Sequence, residues 1–380
     1  MRHIAFSIKF DDLLEGLFDA ESRGYVNVTR REDIALFNYS KTCTFDKAWN
    51  VATRSARGLI LDLKTNTVAS LGLAKFFNYG ENPLEPIPNE PHRVYPKMDG
   101  SCVQLYFCPL ANDWRFNTRG SFDSEQAIEA QAIFDENRPS GLNKDVCYTF
   151  EVIYPQNRIV VHYGDRRELI LLAAYNRVTG ESLDIHSEKF PLVVASDAKN
   201  IRIIEQLPHS SIDNLLVASS SLPSSEEGWV LHFPESDFRL KIKGDEYCRL
   251  HRTISHITPL SVWQHMVAGD NLAEILQDVP EEFRNDFYQI KQLLQKQLEK
   301  FVETSHNLYR LYHKLDRKNY AIALNSSGAD SFSRSLAFKL YDGHLITFKD
   351  VAKAIRPHGN KLEGYTPSST MNRFAVSDES

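Results

Sequence analysis

Alternation of apolar and polar positions is clearest in Phe238-Arg239-Leu240-Lys241-Ile242-Lys243. It predicts a strand with Phe238, Leu240 and Ile242 turned inward and three cations turned outward. The same period follows Lys97-Met98-Asp99-Gly100-Ser101, where Val103, Leu105 and Phe107 alternate with more polar neighbours. Lys97 is therefore expected at the mouth of a strand, in a loop that Gly100 lets fold tightly. Further strands are expected over 34–38, 58–63, 67–71, 148–154 and 227–233. Residues 169–175 are almost wholly apolar, the pattern of a central strand covered on both faces. Helical spacing predicts a helix over 8–21, with Phe10, Leu13, Leu14 and Leu17 on one face. Another is expected from its cap at Ser124 to about Glu136, with Ala127, Ile128, Ala130 and Ile133 inward. Pro83, Pro86, Pro88, Pro91 and Pro96 predict loop throughout their passage.

After Gly244 the pattern changes, and from about 260 to 356 the period is helical. Phe283, Phe287, Ile290, Leu294, Leu298 and Phe301 form one stripe of a long helix, and further helices are expected near 306–325, 330–341 and 347–356. Strands followed by helices predict an α+β chain: an N-terminal domain (1–254) of antiparallel sheets with flanking helices, and an all-α domain (255–365). The polar, Ser-rich residues 366–380 are expected to be a loose tail.

Composition adds exclusions. The 380 residues are 42% apolar and 25% charged, as in ordinary globular proteins. A net charge of −6 excludes a chain coated in positive charge, so any nucleic-acid contact needs locally gathered cations. The five cysteines are scattered without CxxC spacing, which fits reduced cytosolic thiols better than a zinc site. The first residues lack the apolar core of a signal peptide, and no apolar run is long enough to span a bilayer. A cytoplasmic protein with no membrane partner is expected.

Lys-x-Asp-Gly opening a strand suits a lysine that attacks a nucleotide's α-phosphate and keeps the nucleotidyl group; alone, it is also a common surface turn. Lys241 and Lys243 form either a solvated edge or, if they converge on Lys97, a phosphate-neutralising pair. Glu151, between Phe150 and Val152, faces away from their side, where a ribose hydroxyl is a fitting partner. Glu227 opens its strand, where a carboxylate can hold a hydrated metal ion. Arg57 and Lys75 are cations in or beside turns.

Taken in order, Lys97-x-Asp-Gly, Glu151, Glu227-Gly and Lys241-x-Lys243 resemble the covalent nucleotidyltransferases: ATP-dependent DNA ligases, RNA ligases and mRNA capping enzymes. Ala56-Arg57-Gly58, Lys75-Phe76-Phe77-Asn78 with Glu81-Asn82-Pro83, Arg119-Gly120-Ser121, Asn157-Arg158-Ile159-Val160, and Lys241-Ile242-Lys243 ahead of Tyr247 are similar to the RNA ligase family of T-even bacteriophages. The likeness runs from near residue 34 to Asp316-Arg317-Lys318-Asn319-Tyr320-Ala321.

The resemblance implies a nucleotidyltransferase (ATP-grasp-like ligase) domain, ATP as substrate, and Mg²⁺ (or Mn²⁺). It implies joining of 5′-phosphate and 3′-hydroxyl RNA ends, in repair of tRNA broken in its anticodon loop. A polynucleotide kinase/phosphatase would heal the ends, and the ligase would act as a monomer in the host cytosol. Lys97 would be the nucleophile, with Asp99 and Gly100 shaping its loop and Arg119 and Tyr247 in the catalytic group. Glu151 would hold the ribose, Phe37 would lie beside the adenine, and Arg57, Lys75, Lys241 and Lys243 would face phosphates. Glu227, through water, and Asp270 would serve the metal. Two departures stand out: Arg119 replaces a lysine, and Asp270-Asn271 replaces a pair of aspartates.

A DNA ligase or capping enzyme would place a small β-barrel after the Lys-x-Lys strand, whereas helices are expected here. An RNA-binding protein that keeps the fold without the chemistry is the other alternative. The presence of every expected chemical residue counts against it.

Overall fold

The computed structural model describes residues 1–81, 86–137, 139–190, 192, 200–254, 257–279, 283–357 and 361–366. Asn82 and Pro83 of the quoted motif, and all but the first residue of the expected tail, lie outside them. The chain is mixed α+β and divides into two compact units, Met1–His251 and Arg252–Ser368.

In the first unit, β1 (Val26–Arg31), β2 (Ile34–Tyr39), β3 (Arg57–Asp62) and β4 (Thr67–Ser70) form an antiparallel sheet in that order. β1 has no apolar alternation to announce it, because only Val26 of its six residues is buried. The helix Phe10–Ser22 buries Leu13, Leu17 and Ala20 in the same core as Ile34 to Phe37 of β2.

β5 (Phe77–Asn78) and β6 (Arg93–Pro96) belong to another sheet. The second corrects the expectation of loop through Pro96. It is an edge strand, where proline's missing N–H costs no ladder bond. The largest sheet then contains β7 (Ser101–Cys108), β8 (Asp113–Thr118), β9 (Val146–Ile153), β10 (Glu168–Asn176), β11 (Ser182–Leu183) and β12 (Ile201–Ile203). Its order is β11-β10-β9-β7-β8, and β12 pairs parallel with β10. β10 is buried along nearly its whole length. The helix Glu125–Asn137 starts where Ser124 Oγ accepts from the Ala127 N–H (3.2 Å) and buries Ala127, Ala130, Ile133 and Phe134. Ile128, expected inward, is 61% exposed, because the buried stripe passes one position to its side.

β13 (Gly228–Phe233) and β14 (Phe238–Lys243) complete the sheet β5-β14-β13-β6. Leu240 and Ile242 enter its core, while Phe238 is half-buried. A helix follows at once over Asp245–Ile254, earlier than the period alone suggested.

The named elements that follow are Pro259–Ala268, Leu272–Asp278, Arg284–Tyr312, Arg317–Ser326, Ser331–Tyr341 and Phe348–Ala352, all helices. Phe287, Ile290 and Leu294 are buried on the long one, while Leu298 and Phe301 pack half-buried near Leu336 and Val351. The helix expected near 306–325 is corrected to two. The long helix runs on to Tyr312, and Asp316 caps a new one by accepting from the N–H groups of Lys318 and Asn319 (both 3.0 Å). Among the described residues no helix is long and apolar enough to cross a membrane.

Candidate active site

Pairing of β6 with β13 sets the position of Lys97. The last rung places Pro96 opposite Trp229, and the Lys97 N–H then donates to Gly228 O (2.8 Å). The lysine side chain thereby reaches Glu227, the residue before β13, with Nζ 2.7 Å from Oε2. Lys243 lies opposite Gly228 in the β13–β14 register and brings its Nζ to 3.2 Å from Oε1 of the same carboxylate. The Glu227 side chain is only 2% exposed. Burial alone would push its carboxyl up, but the charges of Lys97 and Lys243 hold it below the usual range. Gly228 is fixed by geometry: φ is +140°, and a Cβ would fall 2.1 Å from Ile242 O.

Asp99 organises the loop. Its Oδ2 accepts from the N–H groups of Val160 (2.8 Å) and Val161 (2.7 Å), and its Oδ1 accepts from Tyr247 OH (2.8 Å). Its own N–H donates to Tyr163 OH (3.0 Å). A buried carboxylate with three donors positions the loop and has little capacity left for a reacting group. Tyr247, buried on the helix after β14, also lies under Lys243 Nζ, 5.2 Å from its ring centre. Tyr163 was missed by the sequence reading, and no periodicity or motif marks it.

Gly100 donates its N–H to Glu151 Oε1 (3.1 Å). A Cβ there would lie 2.5 Å from Val152 O and 3.1 Å from Glu151 Cγ, so glycine is required by close approach. Glu151 sits on β9 opposite Cys102 of β7 and is 9% exposed. Burial, against the pull of Lys97 and with a push from Glu227, raises its carboxyl to about 7.

The sign of this shift gives a prediction. Between about pH 4.5 and 7 the folded chain holds a proton that the unfolded chain has lost. The resulting stability is complete below pH 4.5 and is lost as pH rises through 7, at most roughly 3 kcal/mol. Glu151→Gln should flatten this fall relative to the unsubstituted chain in denaturant titrations at pH 5 and 7.5. An unchanged pH difference would contradict the assignment.

The remaining cations lie against aromatic rings. Arg57 Nη1 donates to Leu73 O (3.3 Å), and its guanidinium lies 5.9 Å from the centre of the Phe76 ring. Lys241 Nζ is 5.4 Å from the same centre. Lys75, 5% exposed, sits among Phe77 (4.7 Å), Trp49 (5.2 Å) and Tyr39 (5.9 Å). Exposed Arg119 donates to Tyr39 OH (3.0 Å). Arg239 donates to Asp237 Oδ1 (2.7 Å) and Tyr175 OH (2.8 Å).

Lys97, Asp99, Gly100, Glu151, Glu227, Lys243 and Tyr247 thus form one connected group. Arg57 and Lys241 share Phe76, while Lys75 and Arg119 share Tyr39. Two expected residues join neither this group nor those ring-borne cations. Phe37 is 0% exposed and packs edge-on to Phe18 at 5.8 Å, because the β2 register turns its ring into the core; its expected place beside adenine is corrected. Asp270 belongs to the helical unit and pairs with His265 (2.8 Å), while Asn271 caps the next helix. Among the described residues, no three His, Cys, Asp or Glu side chains stand together to hold a metal ion.

A lysine at the mouth of a strand, paired with a strand-opening carboxylate that a strand-borne lysine also contacts, within an α+β fold, is an arrangement of the nucleotidyltransferase class. A family model described as RNA ligase matches residues 55–247, half of the chain. The chain belongs to this RNA ligase family, of the phage type. An RNA ligase of Rhodothermus phage RM378 is 26% identical over 298 residues, covering 60% of this chain and 66% of that protein. A protein of Autographa californica nuclear polyhedrosis virus, provisionally named a bifunctional polynucleotide kinase/RNA ligase, is 25% identical and covers 57% of this chain and 33% of its own length. The chain therefore spans less than two thirds of each of these relatives. Among solved structures, a Naegleria gruberi RNA ligase aligns with 14% identity over 43% of this chain and 52% of that one, with a TM-score of 0.33.

Proposed function

We propose that this protein is an ATP-dependent RNA ligase joining 5′-phosphate to 3′-hydroxyl RNA ends, and that its substrate is tRNA cleaved in the anticodon loop. The observation that carries the reading is the Lys97–Glu227–Lys243 group beside Glu151. Lys97 gives up a proton and its Nζ attacks the α-phosphorus of ATP; pyrophosphate leaves, and a Lys97–AMP phosphoramidate remains. The 5′-phosphate of the RNA then takes the AMP. A 3′-hydroxyl attacks that activated phosphate, seals the strand and expels AMP.

Charge grows on the α-phosphate and on the departing pyrophosphate during the first step. Lys243, Lys241, Arg57 and Lys75 are the cations that would offset that charge. Glu151, protonated or ionised near neutral pH, can either donate to or accept from a ribose hydroxyl. Both oxygens of Glu227 already face ammonium groups, and among the described residues no cluster of three His, Cys, Asp or Glu offers a cage for Mg²⁺ or Mn²⁺. Such an ion would arrive on the nucleotide's phosphates, as is common for Mg²⁺. Ends of the required chemistry would come from a polynucleotide kinase/phosphatase.

Incubation with radiolabelled ATP tests the reading. A ligase forms an acid-labile, hydroxylamine-sensitive protein–AMP adduct and then joins RNA; an RNA-binding protein of the same fold forms neither product.

Two further outcomes are expected. Lys241→Ala and Lys243→Ala should each slow adduct formation at least about tenfold, and Arg239→Ala far less, since Arg239 is engaged with Asp237 and Tyr175. Equal losses in all three would mean a general phosphate patch. The helical unit is proposed to select the RNA. A fragment ending at Ile254 should still form the adduct but lose its preference for nicked tRNA over a single-stranded end. One ending at Gly244 should also adenylate poorly, because it lacks Tyr247 and the bond to Asp99. Undiminished tRNA preference in the longer fragment would place the selectivity in the catalytic unit.

A further inference from the structure

A buried polar cluster ties the sheet of β1 to β4 to the largest sheet. Gln104 stands on β7, opposite Asn117 of β8 and Thr149 of β9, and is 2% exposed. Asn117, Thr149 and Ser70 of β4 are fully buried. Burying amides and hydroxyls costs free energy unless they are hydrogen-bonded. Here one amide gathers the bonds. Gln104 Oε1 accepts from Ser70 Oγ and from Asn117 Nδ2 (both 3.3 Å), and its Nε2 donates to Arg57 O (2.9 Å).

The backbone leaves room for that amide. A Cβ on Gly72 would fall 1.9 Å from Gln104 Nε2, and one on Gly58 would fall 2.6 Å from it. Gly58 has a φ of +82° and is the extra residue of a β-bulge: Phe37 pairs with Leu59, but the next pair is Asn38 with Arg57. A bulge re-aims the side chain beside it. Without it, Arg57 would share the strand face of Leu59 and Leu61, both buried in the core.

Arg57 is one of the cations assigned above to the phosphates. Its guanidinium donates to Leu73 O (3.3 Å) and to Cys102 Sγ (3.9 Å) and lies 5.9 Å from the Phe76 ring centre. These contacts are long, and none is with a carboxylate. The direction of the guanidinium is therefore set by where the backbone at residue 57 is held, and the side chain that bonds this backbone is Gln104.

We propose that Gln104 is a positioning residue for adenylation: its amide fixes the bulge at Arg57-Gly58 and so aims Arg57 at the phosphates of ATP. The proposal rests on the ligase reading. The plain alternative is a buried amide that adds stability alone, and the two differ in whether the loss runs through Arg57.

Gln104→Met keeps much of the volume and removes the donor. In the full chain it should slow single-turnover adduct formation at saturating ATP at least about tenfold, because small misplacements of a charge-offsetting group are costly. In an Arg57→Ala background the same substitution should change the rate by no more than about twofold, since the group it places is already gone. A loss that multiplies with that of Arg57→Ala would overturn the proposal, as would a Gln104→Met rate equal to that of the unsubstituted chain. Gly72→Ala is an independent version. It crowds the amide off Arg57 O while leaving Gln104 and Arg57 in the chain, and it should show the same dependence on Arg57. It also supplies the comparison if Gln104→Met melts early. Spectra of chain labelled with nitrogen-15 arginine give a readout that needs no chemistry. The Arg57 Nε–H signal, identified by its loss in Arg57→Ala, should shift in both variants, and an unmoved signal would overturn the proposal. Should the unsubstituted chain form no adduct, the ligase reading fails by itself, and these spectra still decide whether Gln104 places Arg57.

Discussion

Lys97→Ala is expected to abolish the protein–AMP adduct and all ATP-dependent joining. The amine is the only atom of the chain that the proposed first step bonds to phosphorus, and alanine has nothing to replace it. The same variant should still seal RNA that already carries a 5′-adenylate, since the last step uses an RNA hydroxyl as nucleophile. Gel bands from radiolabelled ATP and from pre-adenylated RNA give the two readings side by side. A surviving adduct would show that another residue is the nucleophile. Loss of both activities would mean that Lys97 also supports the final transfer, or that its removal disturbs Glu227.

Glu227→Gln should have the second largest effect. The native carboxylate lies between two ammonium groups, at 2.7 and 3.2 Å, with its own side chain 2% exposed. Glutamine keeps the shape and removes the charge, so Lys97 and Lys243 repel each other across a nearly dry space. Breaking a buried ion pair from one side typically costs about 3–5 kcal/mol. Adduct formation should fall by at least about a hundredfold, because the lysine is no longer held against the strand mouth. Adding Lys243→Met should restore much of the stability while leaving activity low. Thermal melts and adduct assays on the single and double variants separate the two effects. A stable, active Glu227→Gln protein would remove the carboxylate from the proposed site.

The sequence was most informative where one strand carries its own pattern. β14 alternates throughout, and the structure turns Lys241 and Lys243 to the side of the site as the period requires. Lys97 stands ahead of β7 as expected, held there by the pairing of β6 with β13. β1 was silent because this edge strand buries only Val26, whereas β8 does alternate, at Trp114 and Phe116, in a run too short to stand out. Phe37 followed the resemblance into the nucleotide site, but its burial is decided by the helix Phe10–Ser22 packing over β2. The bonds of Asp99 were hidden for another reason. Its partners stand 61, 62 and 148 residues away, and nothing local in Lys-x-Asp-Gly specifies them.

That longest bond bears on the order of events at the ribosome. Synthesis delivers Lys97 early and Tyr247 late, after every strand of the first unit has emerged. Until Tyr247 arrives, Asp99 lacks the hydroxyl that closes one side of its carboxylate, and the neighbouring Glu227–Lys243 contact waits almost as long, for Lys243. A nascent chain can therefore pair β1 to β4 and β7 to β10 long before this network of contacts closes. On the proposed ligase reading, a chain released before Tyr247 should charge Lys97 poorly.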